Sequence, residues 1–311
     1  MKPTSIIFLV LSVILIATGY ISMEMATTLA ENDGVGLYAS DTLDEDGNRL
    51  STVLYNSNDY DKIEVNVSDA TVYLCKGDEE KVIFKNYTEG SHTEIKSGAS
   101  YIISDNFSAI DMITSGKFNL TFKGLRHYWH DREILSRPKE VYVYTTENTV
   151  LNSIELRLGK GTVKISDYEA AFDVMAYVEN GTIEAKNSKA PSFNLSGASC
   201  TVNATDLVSE RFHSDVDNGI VKMNSCDVNS LTKIRIKETG EVGVKVDGSE
   251  SEYNIVAYAS KKVFINGNDM GTQYPADDAE HETPDSGNQS DGHRTLDINV
   301  MSGTVIIKTG K

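Results

Sequence analysis

The densest group of side chains that could do chemistry lies between residues 127 and 133. On a helix, the spacing of three to four residues would place His127, His130 and Asp131 on one face, as a zinc site requires. Nothing nearby favours a helix, so we interpret the segment as a solvated loop. An aromatic contact surface for a partner or a sugar is the first alternative, and a metal site is the second. The potential ligands and aromatic residues of this segment are His127, Tyr128, Trp129, His130, Asp131 and Glu133.

A second group of carboxylates lies in residues 44–48, Asp-Glu-Asp-Gly-Asn. Closely spaced carboxylates before a glycine can wrap around a calcium ion. In the loop register that Gly47 sets, however, the first and last ligand positions would be Thr42 and Val53, which carry no carboxylate. We therefore interpret the segment as an Asp-Gly turn, with calcium binding as the alternative.

The chain has three cysteines, Cys75, Cys200 and Cys226. Their odd number and wide spacing fit neither a disulfide framework nor a zinc site of paired CxxC type. We interpret them as small apolar residues. A disulfide between Cys200 and Cys226 stays open as an alternative.

The sequence lacks the minimal motifs of several common chemistries. GxSxG, HExxH and GxxxxGK[ST] do not occur, so acyl transfer, zincin and P-loop chemistry have no support. We predict that no residue is catalytic, that none binds a metal or cofactor, and that the chain needs no cofactor. The formal charge of -17 repels phosphate backbones, so we also predict no nucleic-acid partner.

The elements that position the side chains are indicated by a repeat of about 20 residues. In each unit a turn residue is followed by apolar residues two and four positions later, and an alternating apolar segment precedes it. From residue 161 the intervals between turn residues are 20, 19, 19, 21, 21 and 42, so the last is a double step. The turn residues are Ala70, Gly161, Gly181, Cys200, Gly219, Gly240, Lys261 and Gly303.

This pattern predicts strand, turn, strand, repeated. Alternation with period two places every second side chain on one face, and the corner directs both strands at a common interior. One coil buries too little apolar surface to offset its loss of backbone entropy, so the coils must stack. We predict an all-β fold, a β-solenoid of about 20-residue coils. The alternative is an antiparallel sandwich of hairpins, but sandwich loops vary in length whereas these turns recur regularly.

An apolar run at residues 6–21 follows Lys2 and precedes several acidic residues. Roughly 16 helical residues reach about 24 Å, just short of a hydrocarbon core, so this is one transmembrane signal anchor or a cleaved signal peptide. The segment Thr28-Leu29-Ala30 is a poor cleavage site and favours the anchor. The charge asymmetry predicts a cytoplasmic N-terminus and an extracytoplasmic body at the cell membrane, or a secreted body after cleavage.

The predicted organisation has three parts. Residues 1–23 form the signal anchor or signal peptide, residues 24–59 an acidic stalk that could hold one hairpin, and residues 60–311 the solenoid. The repeat weakens near 86–138, which indicates an insertion. Residues 273–294 are rich in Asp, Glu, Pro, Gly and Ser, which predicts a mobile acidic loop.

From residue 60 to 310 the chain resembles the bacterial membrane-anchored adhesin-like proteins of unknown function. The resemblance rests on the order of the apolar N-terminus and four strings, which are IEVNVSDATVYL, VYVYTTENTVLNSIELRLGKGTVKI, KKVFINGNDMGTQY and LDINVMSGTVIIKTG. It implies a right-handed, single-stranded β-helix on the outer side of the membrane. It implies neither enzymatic activity nor a cofactor.

Right-handed β-helices also host polysaccharide lyases and hydrolases, whose sites stack carboxylates or basic residues on neighbouring coils. The outward positions here do not predict such a stack. Three residues after each turn they are Lys164, Glu184, Asn203, Lys222, Gly243, Phe264 and Ile306. Four residues before the first four regular turns they are Arg157, Tyr177, Ser196 and Asp215.

We therefore predict a non-catalytic extracytoplasmic surface scaffold or adhesin-like binding module. Its partners would be a surface protein or a polysaccharide, and the membrane through the N-terminal segment. The first alternative is an envelope-stress sensor or regulatory domain that acts through a membrane partner. The second is a polysaccharide-active β-helix enzyme.

Overall fold

The computed structural model describes residues 16, 18–19, 21–22, 42–46, 48–87, 92–105, 136–275 and 294–310. The described residues of the N-terminal apolar run have helical backbone, and no helix in the described part of the chain is long and apolar enough to cross a membrane. The sixteen strands of these residues are β1 Thr42–Leu43, β2 Arg49–Leu54, β3 Lys62–Lys76, β4 Lys81–Lys85, β5 His92–Ser97, β6 Ser100–Asp105, β7 Glu140–Thr145, β8 Ser153–Ser166, β9 Asp173–Lys189, β10 Ser192–Asn224, β11 Asp227–Val246, β12 Tyr253–Ala259, β13 Lys262–Ile265, β14 Asn268–Asp269, β15 Gln273–Tyr274 and β16 Arg294–Thr309. Two 3-10 turns lie at Ser57–Asp59 and Glu250–Glu252.

The chain divides into two compact units. The smaller comprises Met1–Ser51, Lys85–His92 and Asn106–Lys139, and the larger comprises Thr52–Phe84, Thr93–Asp105 and Glu140–Lys311. In the smaller unit β1 and β2 pair as an antiparallel hairpin.

In the larger unit the strands stack as parallel rungs. β3 pairs with β8, β8 with β9, β9 with the first half of β10, and the second half of β10 with β11. Their apolar side chains alternate, so one set points inward from every rung. The prediction of an all-β, solenoid-like fold is confirmed. The right-handed sense of the coil and the N-terminal helix as a membrane anchor stay predictions.

The inward positions form continuous apolar columns along the stack. The column two residues after the corner is β-branched at every rung, and each member is no more than 1 % exposed. Such residues pack well on a pleated surface and are stiff about χ1, which favours the strand. The members are Val141, Val72, Val163, Ile183, Val202, Val221, Val242, Val305 and Val263.

The predicted turn residues form one column of corners. Gly161 pairs with Ala70 on one side and with Gly181 on the other, and Gly240 pairs with Gly219 and Gly303. The backbones approach so closely here that a Cβ at Gly181 would lie 1.9 Å from the carbonyl oxygen of Gly161. Gly181 also has φ 149°, which side chains rarely adopt. Glycine at this corner therefore sets both the turn and the rung spacing.

The rung order at the C-terminal end differs from the chain order. We expected the coil of Gly303 to follow that of Lys261 after a double step, but β16 lies between β11 and the rung formed by β12 and β13. Gly303 pairs with Gly240, and its carbonyl oxygen accepts a 3.0 Å hydrogen bond from the Lys261 amide. The last strand of the described residues, β16, is thus an interior rung.

The N-terminal end has the same inversion. β3 is the first rung in the chain, yet it lies between β8 and an outer rung formed by β6 and β7. Part of the predicted insertion near 86–138 therefore joins the stack as β6. The predicted strand at Phe118, Leu120 and Phe122 lies outside the described residues.

The boundaries of two predicted segments are also refined. Tyr55, in the predicted stalk, donates a 2.7 Å hydrogen bond from its hydroxyl to the Tyr144 carbonyl, and residues 52–59 of the predicted stalk are part of the larger unit. At the start of the predicted acidic loop, β15 pairs antiparallel with β12, and β14, just before the loop, pairs antiparallel with β13. These short strands cover much of the outer edge of the last rung. Residues 276–293 of that loop lie outside the described residues.

We predict that Gly181→Val lowers the free energy of unfolding by about 1 to 3 kcal/mol, because the side chain would require a strained φ and overlap Gly161. Gly243→Val is the matched control, since a Cβ there meets nothing within 4 Å. Urea denaturation followed by circular dichroism measures both variants. Equal midpoints for Gly181→Val and the wild type would show that this corner is not sterically constrained.

The interior position of β16 gives a second prediction. Ile307 is 0 % exposed and lies opposite Val244 and Ile265, whereas its neighbour Ile306 is 43 % exposed. Ile307→Ala should cost about 2 to 5 kcal/mol of unfolding free energy, and Ile306→Ala should change it by less than about 0.5 kcal/mol. Similar losses in the two variants, measured by the same denaturation, would argue against a buried inner face on β16.

Candidate functional site

The outward positions predicted three residues after each corner form one column. The register places Lys164 beside Glu184, and Glu184 beside Asn203. Farther along, Gly243 lies beside both Lys222 and Ile306, and Phe264 follows Ile306 because β16 is inserted before β13. The column mixes basic, acidic, amide and apolar groups, and it gathers no matched set of acids or bases.

Two tyrosines extend this column at its N-terminal end, a feature that we did not predict. The rings of Tyr73 and Tyr142 stack with centroids 4.7 Å apart, and Tyr144 lies 6.3 Å from Tyr142. Lys164 lies over the ring of Tyr73 at 5.7 Å, and Lys81 lies over that of Tyr144 at 5.8 Å. Burial, and then the hydrogen bond to Glu140, raise the pKa of Tyr142. The phenol of Tyr142 therefore stays neutral. The stacked rings, which we name the Tyr73–Tyr142 ladder, provide with the two lysines a surface of aromatic edges and ammonium groups.

The outward face before the corner carries a compact charge cluster. Lys62 contacts both Glu64 and Glu155, and Arg157 pairs with Glu155 at 2.7 Å and with Glu64 at 3.6 Å. Burial of Glu64 opposes its ionisation, but a hydrogen bond from Asn66 and the two cations hold its pKa below the ordinary value. Both carboxylates are thus partners in ion pairs, and the lowered pKa of Glu64 makes it a poor general acid.

A second group lies farther along the same face. Lys237 bridges Asp215 and Asp217, with both Nζ–Oδ1 distances at 3.2 Å. Burial lowers the pKa of the neighbouring His213, although Asp215 opposes the shift. The predicted positions Arg157, Tyr177, Ser196 and Asp215 do lie on consecutive rungs. Their functional groups are a guanidinium, a phenol, a hydroxyl and a carboxylate, which do not form a catalytic set.

All three cysteines are free thiols. Cys200 and Cys226 are buried, and burial raises the pKa of each to about 11. Burial also raises the pKa of Cys75. Because the thiolate is the nucleophile and metal ligand, these thiols are poorly suited to either role.

In the carboxylate group at residues 44–48, the side chain of Asp44 stabilises the turn in which it lies. Oδ1 of Asp44 accepts hydrogen bonds from the amides of Asp46 and Asn48, at 3.0 and 2.8 Å. This is the geometry of an Asx turn. The group at 127–133 lies outside the described residues, and among the residues that are described no three His, Cys, Asp or Glu side chains gather as metal ligands.

These features define the larger unit as a parallel β-repeat stack with mixed polar outer faces. Residues 60–308 match the model of the Toastrack DUF4097 family, domains of unknown function. The chain belongs to this family, which confirms the predicted family resemblance. No curated protein matches the chain.

Two solved structures are similar to the chain. One is a "putative cell adhesion protein" from Clostridium sporogenes, with 14% identity over 84% of this chain and 99% of that one and a TM-score of 0.31. The other is a "putative adhesin" from Bacteroides fragilis, with 10% identity over 84% of this chain and 97% of that one and a TM-score of 0.39.

The cluster around Glu64 predicts a pH dependence of stability. Its pKa is lowered from 4.5 in the folded state, so it contributes stability above about pH 4.5 that is lost as the pH falls through the folded value. Glu64→Gln should therefore unfold at lower urea than the wild type at pH 7, and the difference should shrink below pH 4.5. The exposed Glu179→Gln is the control and should show no such trend. A difference that is constant from pH 7 to pH 3 would contradict the assignment.

Proposed function

We propose that this chain is a non-catalytic, extracytoplasmic surface module that binds a surface polymer or protein along its stacked rungs. The observation that carries the proposal is the continuous parallel register from β3 to β16. Neighbouring parallel strands lie about 4.8 Å apart, so the outward side chains repeat along one axis. Weak contacts at each rung then add over an extended ligand.

The chemistry of the described residues supports binding over turnover. The carboxylates of the Glu64 cluster are held in ion pairs, and the thiols have raised pKa values. A polysaccharide lyase or hydrolase needs an acid and a base that converge on one groove. The outward columns of the stack offer mixed groups at successive rungs instead.

We propose a right-handed coil and a membrane anchor formed by residues 6–21, as the family resemblance implies. The anchor would hold the stack on the outer side of the membrane. Protease treatment of intact cells tests this location: digestion of the body without lysis is expected, and protection until lysis would contradict it.

The binding proposal predicts retention without turnover. The full chain, purified in a neutral detergent, is passed over immobilised cell-wall and acidic polysaccharides with and without calcium. We expect retention on at least one polymer, and no appearance of reducing or unsaturated ends during long incubation. Turnover that one outward substitution abolishes would show an enzyme, and failure to bind any polymer would favour a regulatory role through a membrane partner.

A further inference from the structure

One outer surface of the stack differs in charge from the rest of the chain. It is formed by the outward side chains of the strand segments that follow the corners from Gly161 onward, and we name it the post-corner face. These segments are residues 162–166, 182–186, 201–205, 220–224, 241–246, 304–309 and 262–265. The face carries Lys164, Lys186, Lys222, Lys245, Lys262 and Lys308 against Glu184 and Glu241. Six cations against two anions stand out in a chain whose formal charge is -17.

Most of these lysines are available to a ligand. Lys186, Lys222, Lys245 and Lys308 are exposed and make no ion pair within the part of the chain that the structure describes. Lys164 lies 3.9 Å from Glu184, which is a weak pair on an exposed surface. Lys262 is the member with a close partner, Asp269 at 2.5 Å.

The register brings like charges together at the centre of this face. Lys245 of β11 lies directly opposite Lys308 of β16, and Lys222 lies diagonally across from Lys245 on the preceding rung. Like charges directly opposite each other on a sheet are destabilising. An anion bound between them would remove that repulsion and release counterions.

The groups between the lysines are neutral hydrogen-bonding side chains. Thr162, Thr182 and Thr201 form a half-buried column on consecutive rungs, and Asn203 and Thr205 lie beside it. Hydroxyls and amides of this kind can bind sugar hydroxyls. Ile306 is the one exposed large apolar residue of the described face, and Ile220 and Phe264 are half-buried, whereas binding at a lipid surface requires a continuous apolar face. The composition therefore favours a sugar polymer over a membrane.

We propose that the post-corner face binds an anionic polysaccharide, with Lys222, Lys245 and Lys308 pairing with its carboxylate groups. This rests on the proposed function and names its ligand class. The polymer lies across the rungs, because successive rungs repeat the lysines along the stack axis. The Tyr73–Tyr142 ladder continues the same outer surface at its N-terminal end.

The test uses the full chain in neutral detergent and polygalacturonate as the probe, with dextran as the uncharged polymer. The face variant is Lys222→Gln/Lys245→Gln/Lys308→Gln. The control variant, Lys160→Gln/Lys233→Gln/Arg235→Gln, makes the same change of net charge at positions outside the face. Circular dichroism confirms that both variants fold. Anionic and neutral lipid vesicles form a separate arm.

We expect the wild type to bind polygalacturonate more weakly as salt increases, and the face variant to lose at least about tenfold in affinity at low salt. The control variant should stay within about twofold of the wild type. Equal losses in the two triple variants would overturn the face assignment. Binding to dextran but not to polygalacturonate would overturn the ligand class and leave the proposed function standing. Binding to neither would also overturn the ligand class, and the panel of cell-wall polysaccharides then decides the proposed function separately. Binding to anionic vesicles alone, weakened in the face variant, would replace the polymer with a membrane surface.

Discussion

The close backbone contact at the corners is the constraint on which the rest of the stack depends. At Gly181 and Gly219 an added Cβ would overlap the carbonyl oxygen of the rung below, so the main chains meet there without side chains between them. This contact sets the register, and the register aligns both the inward β-branched columns and the outward polar ones. A shift of one residue would reverse the two faces of every strand. The charged clusters and the lysine-rich face are thus consequences of the same alignment that forms the core.

The ends of the stack are formed differently from its middle. The longer strands β3 and β16 each lie one rung inside a rung of two short strands, β6 with β7 and β12 with β13. Beyond these, β4 pairs with β7 and β5 pairs with β6. At the C-terminal end β14 and β15 also cover part of the exposed backbone edge. Short, interrupted and covered edges reduce pairing with other chains. The net charge also reduces pairing with other chains, since a chain of formal charge -17 repels its own copies.

Sequence reasoning found the repeat because alternation and glycine spacing are local signals. It recovered the corner from Ala70 to Gly303, the inward columns and the polar outward positions. It missed the interior places of β3 and β16, because a pattern within one rung carries no information on which rung lies beside it. The paired tyrosines and the lysine-rich face were missed for a related reason: Tyr73 and Tyr142, or Lys245 and Lys308, become neighbours only through register across distant strands. The carboxylates around Glu64 were likewise visible as residues but not as a network.

The interior place of β16 links the completion of the stack to the timing of synthesis. Residues 253–265 leave the ribosome before residues 294–309, yet the strand that joins them to the stack is β16. Until that strand arrives, the far end of β11 also lacks its next neighbour. During synthesis the rungs up to β11 can therefore assemble, whereas the next rung cannot form until β16 has been synthesised. A chain that ends early would present two unpaired strand edges to proteases and chaperones, so the order of the strands distinguishes finished chains from unfinished ones.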